Sequence, residues 1–63
     1  MIAKNLREIR LARRMSQEEL ALVAEVDRTY VSGLERCVRN PSVDLLDRLA
    51  AVLMVKTVEF FSE

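Results

Sequence analysis

The sequence predicts one all-α domain built from five helices, and three observations lead to this prediction. The chain has 63 residues, of which 51% are hydrophobic and 32% charged, a balance typical of a folded protein. It contains one Gly and one Pro, fewer than a sheet with many tight turns requires. Apolar residues recur at intervals of three or four, and most of these runs follow a short polar residue. Because a chain of this length buries only about 60% of its unfolded surface, residues 1–63 are expected to form one domain around one core.

The first two helices are predicted at residues 2–13 and 17–24. The first is indicated by its apolar spacing. The second follows Ser16, whose hydroxyl can accept a hydrogen bond from an early helical amide, while Glu19 reaches back to the backbone of Ser16. This Ser-x-x-Glu pattern is a capping box and marks the start of the second helix.

The third and fourth helices are predicted at residues 28–36 and 43–53. Asp27 and Ser42 precede them, and each offers a side-chain oxygen to amides that have no partner within the helix. Pro41 blocks continuation of the third helix, because proline lacks a backbone N–H and clashes with the preceding turn. The two helices are therefore expected to be separate elements.

A short fifth helix is predicted at residues 58–61, after Thr57 as its N-cap. Either Phe60 or Phe61 is expected to complete the core. The other predicted core residues are Ile2, Leu6, Ile9, Met15, Leu20, Ala21, Ala24, Val26, Val31, Leu34, Leu46, Leu49, Ala50, Leu53 and Val55.

Composition excludes several classes of function. With one Cys and no His, the chain cannot assemble a zinc site, an internal disulfide, a serine triad or a Cys/His dyad, so neither enzyme activity nor a cofactor nor a small-molecule ligand is expected. Asp44 and Asp47 are interpreted as solvated carboxylates rather than metal ligands, and Cys37 as a free thiol rather than a redox sensor.

The longest apolar run, residues 49–55, is too short for a membrane span, and a cytoplasmic location is expected.

The formal net charge is zero, but the charges are unevenly placed. Residues 1–41 carry eight basic and six acidic side chains, a balance of +2, and residues 42–63 carry −2. A basic face can therefore attract phosphate locally, although the total charge gives no broad argument for a nucleic-acid partner.

The second and third helices have the spacing of a helix-turn-helix. An eight-residue helix, a three-residue connection at 25–27 and a nine-residue helix follow one another. The small Ala21 suits a close helix crossing, and the apolar residues of both helices can lock them together. The outward residues of the third helix form a polar, unhindered set suited to a major groove: Arg28, Thr29, Ser32, Gly33 and Arg36.

Several short motifs carry a resemblance to a known family. They are Leu6-Arg7-Glu8-Ile9-Arg10, Ser16-Gln17-Glu18-Glu19-Leu20-Ala21, Val31-Ser32-Gly33-Leu34-Glu35-Arg36, Arg39-Asn40-Pro41-Ser42 and the leucines of the fourth helix. In this order they resemble the phage-repressor and Cro-like, or XRE-type, helix-turn-helix proteins over nearly the whole chain. The segments 27–30 and 39–42 look most like controller proteins of restriction-modification systems within that family.

The resemblance implies a transcriptional regulator that binds double-stranded DNA as a dimer on a near-palindromic site, with residues 28–36 as the recognition helix. It also implies an ion pair between Arg10 and Glu35 that ties the first helix to the third. The residues that it places on the DNA backbone are Gln17, Arg39 and Asn40.

The sequence departs from the family pattern at helix ends where the family often has Gly. A left-handed conformation at a non-Gly residue costs about 1–2 kcal/mol, so strained or reshaped turns are expected there. Gly33, in contrast, lies inside the third helix, where glycine costs about 1 kcal/mol relative to alanine and some compensation is expected. The positions without the family's Gly are Arg14, Glu25, Cys37 and Met54.

Side-chain chemistry assigns candidate roles at the DNA. The guanidinium of Arg28 can pair bidentately with a guanine edge, or alternatively bond Asp27 or Glu25 in solvent. For Tyr30, packing over the junction of the third and fourth helices remains an open alternative to phosphate binding. Base contacts are predicted for Arg28, Thr29, Ser32 and Gly33. Phosphate contacts are predicted for Gln17, Tyr30, Arg36, Arg39 and Asn40.

The homodimer contact is predicted at the end of the sequence, because a four-residue helix cannot bury three large apolar residues in so small a core. The alternative function is a protein-interaction or antitoxin-like helical module, which surplus apolar residues would favour. The candidate dimer residues are Val58, Phe60 and Phe61. The surplus residues are Leu11, Leu22, Val23, Val38 and Leu45.

Overall fold

The computed structural model describes residues 2–62 of the chain, and within this range it contains helices and no strands, which confirms the all-α prediction. No helix in this range is both long enough and apolar enough to cross a membrane. The elements are α1 (Ile2–Ala12), α2 (Gln17–Ala24), α3 (Arg28–Glu35), α4 (Val43–Leu53) and a 3-10 helix (Thr57–Phe61).

The expectation of a fifth α-helix is wrong, because the last element is a 3-10 helix. So short a segment can close i→i+3 hydrogen bonds more readily than a series of α-helical ones, and Glu59 N–H donates to the Lys56 carbonyl at 2.9 Å. Asn5 holds this segment against α1, since its side-chain amide donates to the carbonyls of Phe60 at 2.8 Å and Ser62 at 2.5 Å.

The predicted core is confirmed, and Phe60 rather than Phe61 completes it. Phe60 is fully buried, whereas 53% of Phe61 is exposed. Leu45 was expected to lie away from the core, but it is half-buried and packs against it. Predicted core residues at helix ends and corners are half-buried: Ile2, Ile9, Met15, Val26 and Val55. The buried hydrophobic residues are Leu6, Leu20, Ala21, Ala24, Val31, Leu34, Leu46, Leu49, Ala50, Leu53 and Phe60.

Three predicted N-caps are confirmed and one is wrong. The side-chain oxygens of Ser16, Asp27 and Ser42 accept hydrogen bonds of 2.8–3.1 Å from backbone amides in the first turns of α2, α3 and α4. Thr57 is instead the first residue of the 3-10 helix, and its hydroxyl donates to Oδ1 of Asp47 at 2.5 Å. It therefore links the 3-10 helix to α4.

All four α-helices end in the same left-handed turn, at the positions where the sequence lacks the family's Gly. At the end of α3, for example, Cys37 N–H donates to the Leu34 carbonyl at 3.2 Å and Val38 N–H to the Gly33 carbonyl at 2.9 Å. This pair of bonds is a Schellman motif, which satisfies carbonyls at the helix end. The turns therefore keep their usual shape, but a residue with a Cβ atom occupies the left-handed position in each, which is strained. The residues with φ of 57–62° are Arg14, Glu25, Cys37 and Met54.

Candidate nucleic-acid interface

The helix-turn-helix is formed by α2, the turn 25–27 and α3, which pack against each other. Leu20 and Ala21 of α2 are buried with Val31 and Leu34 of α3, as predicted. Because these residues pack into one core, one side of α3 is fixed against the body and its opposite side has a defined orientation.

The exposed side of α3 begins at Arg28 and Thr29, and Ser32 is half-buried one turn later. Asp27 caps the helix by accepting hydrogen bonds from Thr29 N–H at 2.8 Å and from its hydroxyl at 2.7 Å. These two bonds hold the pKa of Asp27 below its usual range. Because the hydroxyl proton of Thr29 is used in this way, its oxygen lone pair and methyl group are left for other contacts. Arg36, also exposed, follows the end of α3.

Gly33 does not lie on this exposed side, so its predicted base contact is wrong. The residue is buried, and the aliphatic part of Arg39 covers it. A Cβ atom at Gly33 would lie 2.5 Å from Cγ of Arg39 and 3.5 Å from Cγ2 of Val38. The helical period alone cannot reveal this, because the segment that follows α3 folds back over the helix.

Tyr30 connects α3 to that returning segment. Its hydroxyl donates to the Asn40 carbonyl at 2.9 Å, and the guanidinium carbon of Arg39 lies 5.8 Å from the centroid of its ring. Tyr30 is half-buried. These contacts favour the packing interpretation of Tyr30 over phosphate donation, while Arg39 and Asn40 themselves remain exposed.

The ion pair implied for Arg10 and Glu35 is confirmed. Arg10 donates to both carboxylate oxygens of Glu35, at 2.7 and 3.0 Å, and to the Met15 carbonyl at 2.7 Å. Their side chains are only 8% and 5% exposed. Burial raises the pKa of Glu35, but hydrogen bonds from Arg10 and Gln17 outweigh this effect and leave the pKa below its usual value. The pair therefore fixes α1 to α3 in its charged form.

Gln17 lies at the start of α2, and its side chain takes part in this cluster. Its amide nitrogen donates to Oε1 of Glu35 at 3.1 Å, which orients the side chain and leaves one of its N–H groups for another acceptor. The N-terminus of α2 borders an open groove of about 390 Å³. The groove brings together one predicted phosphate contact, Gln17, and one predicted base contact, Arg28. Its other lining residues are Arg10, Ser16 and Glu18.

The predicted dimer residues fall into two groups. Phe60 is fully buried within its own chain, so its assignment to a dimer contact is wrong. Val58 is 67% exposed and remains a candidate together with Phe61. Met54 and Val43, which are 81% and 69% exposed, are large apolar residues that the surplus predicted from the sequence does not include.

Comparison with known proteins agrees with this architecture. A helix-turn-helix family model matches residues 6–60. The Control protein C.BamHI of Bacillus amyloliquefaciens is 39% identical over 57 residues, which cover 89% of this chain and 70% of that protein.

Two solved structures are also similar. The restriction-modification controller protein C.AhdI from Aeromonas hydrophila is 42% identical, with a TM-score of 0.92, and the match covers 95% of this chain and 91% of that one. The restriction-modification controller protein C.Esp1396I, solved as a tetramer with its natural 35 base-pair operator, is 40% identical with a TM-score of 0.85, and the match covers 95% of this chain and 79% of that one. The family match spans α2, the turn and α3 with most of the surrounding core, so the chain belongs to the XRE-type helix-turn-helix family.

Proposed function

We propose that this protein regulates transcription by binding duplex operator DNA in a sequence-specific manner, as a homodimer on a pseudo-palindromic site. The observation that carries the proposal is the groove between the N-terminus of α2 and Arg28 of α3. Partial positive charge from unpaired amides at a helix N-terminus favours a phosphate, and the adjoining α3 side chains suit base edges. Such a regulator acts where the genome is, which supports the expected cytoplasmic location.

Each remaining candidate residue takes one role in this proposal. Arg28, Thr29 and Ser32 contact bases, because they line the free side of a helix that the core holds in place. The methyl group and oxygen of Thr29 suit a thymine methyl and a hydrogen-bond donor. Phosphate contacts come from the α2 amides with Gln17, and from Arg36, Arg39 and Asn40 at the other end of α3.

Homodimerisation is assigned to the exposed apolar residues Val58 and Phe61 of the 3-10 helix. Two domains related by a two-fold axis would place their recognition helices about 34 Å apart, in successive major grooves. The operator complex of C.Esp1396I supports this arrangement, because that similar protein assembles as an oligomer on its DNA.

Titration of labelled duplexes by fluorescence anisotropy tests the proposal through a pair of variants. Arg28→Ala should weaken binding to the preferred site by about 1–3 kcal/mol and relax one base position. Arg39→Ala should weaken binding to all sequences alike and lower the slope of log affinity against log salt by about one per subunit, or about two for the dimer. Lys56→Ala removes the same charge beside the 3-10 helix and serves as the control, with little change expected. Unchanged site preference in Arg28→Ala would refute the assigned orientation of α3.

The second candidate function is docking of another protein on exposed apolar residues. Leu22 and Val23 of α2 are neighbouring apolar residues that are 78% and 59% exposed. They add little to the core of the domain, and exposed apolar residues that lie side by side are a feature of protein-binding surfaces. Salt separates the two functions, since binding to DNA should fall steeply with salt and apolar docking should not. A salt-insensitive complex that Leu22→Ser abolishes would favour the second.

A further inference from the structure

We infer that Gly33 is a positioning residue for DNA binding. Because Gly33 has no side chain, the side chain of Arg39 can lie against α3, next to the residues that contact bases. This inference rests on the proposed function, because it assigns Arg39 to the DNA contact. It also explains why a glycine that weakens a helix occupies the middle of α3.

The left-handed turn after α3 brings Arg39 back over the helix. Cys37 adopts φ of 62°, and the bond from Val38 N–H to the Gly33 carbonyl closes the turn at 2.9 Å. As a result, Arg39 follows the chain reversal directly and its side chain crosses α3 at the position of Gly33.

The fit between Gly33 and Arg39 is too close for any larger residue. An added Cβ would lie 2.5 Å from Arg39 Cγ, which is too close for carbon atoms of two different residues that are only in van der Waals contact. Cγ lies next to the backbone, so relief requires a new rotamer of the whole side chain rather than a small bend at its tip. The guanidinium, which now lies 5.8 Å from the centroid of the Tyr30 ring, would move with it.

Tyr30 also helps to hold Arg39 in this position. Its hydroxyl holds the Asn40 carbonyl at 2.9 Å, which fixes the backbone directly after Arg39. Gly33 therefore sets where the stem of Arg39 lies, and Tyr30 sets where its charged end lies. Arg39 remains exposed despite these contacts, as a phosphate-binding side chain must.

The test is a double-mutant cycle of Gly33→Ala and Arg39→Ala, measured by anisotropy with a duplex that carries the preferred site. Arg39→Ala should weaken binding roughly tenfold, as expected for the loss of a charged hydrogen bond. Gly33→Ala should weaken binding by a similar factor and also lower the slope of log affinity against log salt by about one per subunit. The double variant should bind as Arg39→Ala does, because alanine at 33 has no side chain left to displace.

Thermal unfolding separates positioning from damage to the fold. In the Arg39→Ala background the Cγ atom is gone, so Gly33→Ala should raise the melting midpoint by several degrees through the better helix propensity of alanine. The proposal is overturned if Gly33→Ala binds like the wild type, or if it weakens binding equally with and without Arg39. Failure of the wild type to bind any duplex specifically would instead refute the proposed function, independently of Gly33.

Discussion

Replacing Glu25 by glycine should stabilise the protein, because Glu25 holds a left-handed backbone with φ of 60° at the end of α2. Relief of this conformation is worth about 1–2 kcal/mol. Glycine also lowers the free energy of unfolding by about 0.4–1 kcal/mol, since it makes the unfolded chain more flexible. The side chain of Glu25 is exposed, and the weak hydrogen bond at 3.4 Å from Arg48 goes to its carbonyl, which glycine retains. The expected net gain is about 0.5–1 kcal/mol in the free energy of unfolding.

Leu22→Gly provides the matched control in the same helix. Leu22 is 78% exposed and lies within α2, where glycine should lower the free energy of unfolding by about 1 kcal/mol. The two glycine substitutions should thus have opposite signs. Urea and thermal unfolding followed by circular dichroism measure both, and a gain of 1 kcal/mol raises the melting midpoint of a domain this small by roughly 4–8 °C. If Glu25→Gly lowers the midpoint as Leu22→Gly does, the account of strained helix ends is wrong.

Three further predictions concern the ion pair, the core and the dimer. Glu35→Gln should destabilise the protein by up to about 3 kcal/mol at pH 7, because it leaves Arg10 without a charged partner. Folding lowers the pKa of Glu35, so the ionised carboxylate stabilises the folded protein fully only above the pKa of an unfolded glutamate, about 4.3. This stabilisation is lost as the pH falls further. The difference in the free energy of unfolding between Glu35→Gln and the wild type, measured with urea, should therefore be smaller at pH 3 than at pH 7. Phe60→Ala should lower the free energy of unfolding by about 3–5 kcal/mol, and a urea titration in which it costs under 1 kcal/mol would contradict its place in the core. Val58→Ser with Phe61→Ser should yield monomers in analytical ultracentrifugation while leaving the circular dichroism spectrum unchanged, and a dimer that persists would exclude this interface.

The helices and the core were predictable because the signals for both are local. Ser16 with Glu19 forms the predicted capping box, with hydrogen bonds of 2.9 Å in both directions. Apolar spacing likewise identified the residues that share a core. The type of the last element was not predictable in this way, since a cap-like residue such as Thr57 does not distinguish a 3-10 helix from an α-helix, and Thr57 is in fact the first residue of the 3-10 helix. Its hydroxyl donates a hydrogen bond to Asp47 of α4 and does not cap the helix.

The candidate site was only partly predictable, because some of its contacts do not follow from the period of a helix. The helical period places Gly33 on the outer side of α3, but the reversal at Cys37 lays Arg39 across it. Outside the site, Arg13 of the α1–α2 turn donates to the Leu53 carbonyl at 2.8 Å and so caps α4, a contact between residues 40 positions apart that no local pattern indicates. The family resemblance supplied the link between Arg10 and Glu35, which the spacing of either helix alone could not.

Selection of bound sequences from a pool of random duplexes tests the central claim most directly, namely that the exposed side of α3 reads a duplex from two copies of the domain. The recovered sites should form an inverted repeat whose half-site centres lie about 10–10.5 base pairs apart, or a multiple of this spacing. The same selection with Arg28→Ala should lose preference at one position in each half-site. Recovery of unrelated sequences, or of a motif that Arg28→Ala leaves unchanged, would contradict the account.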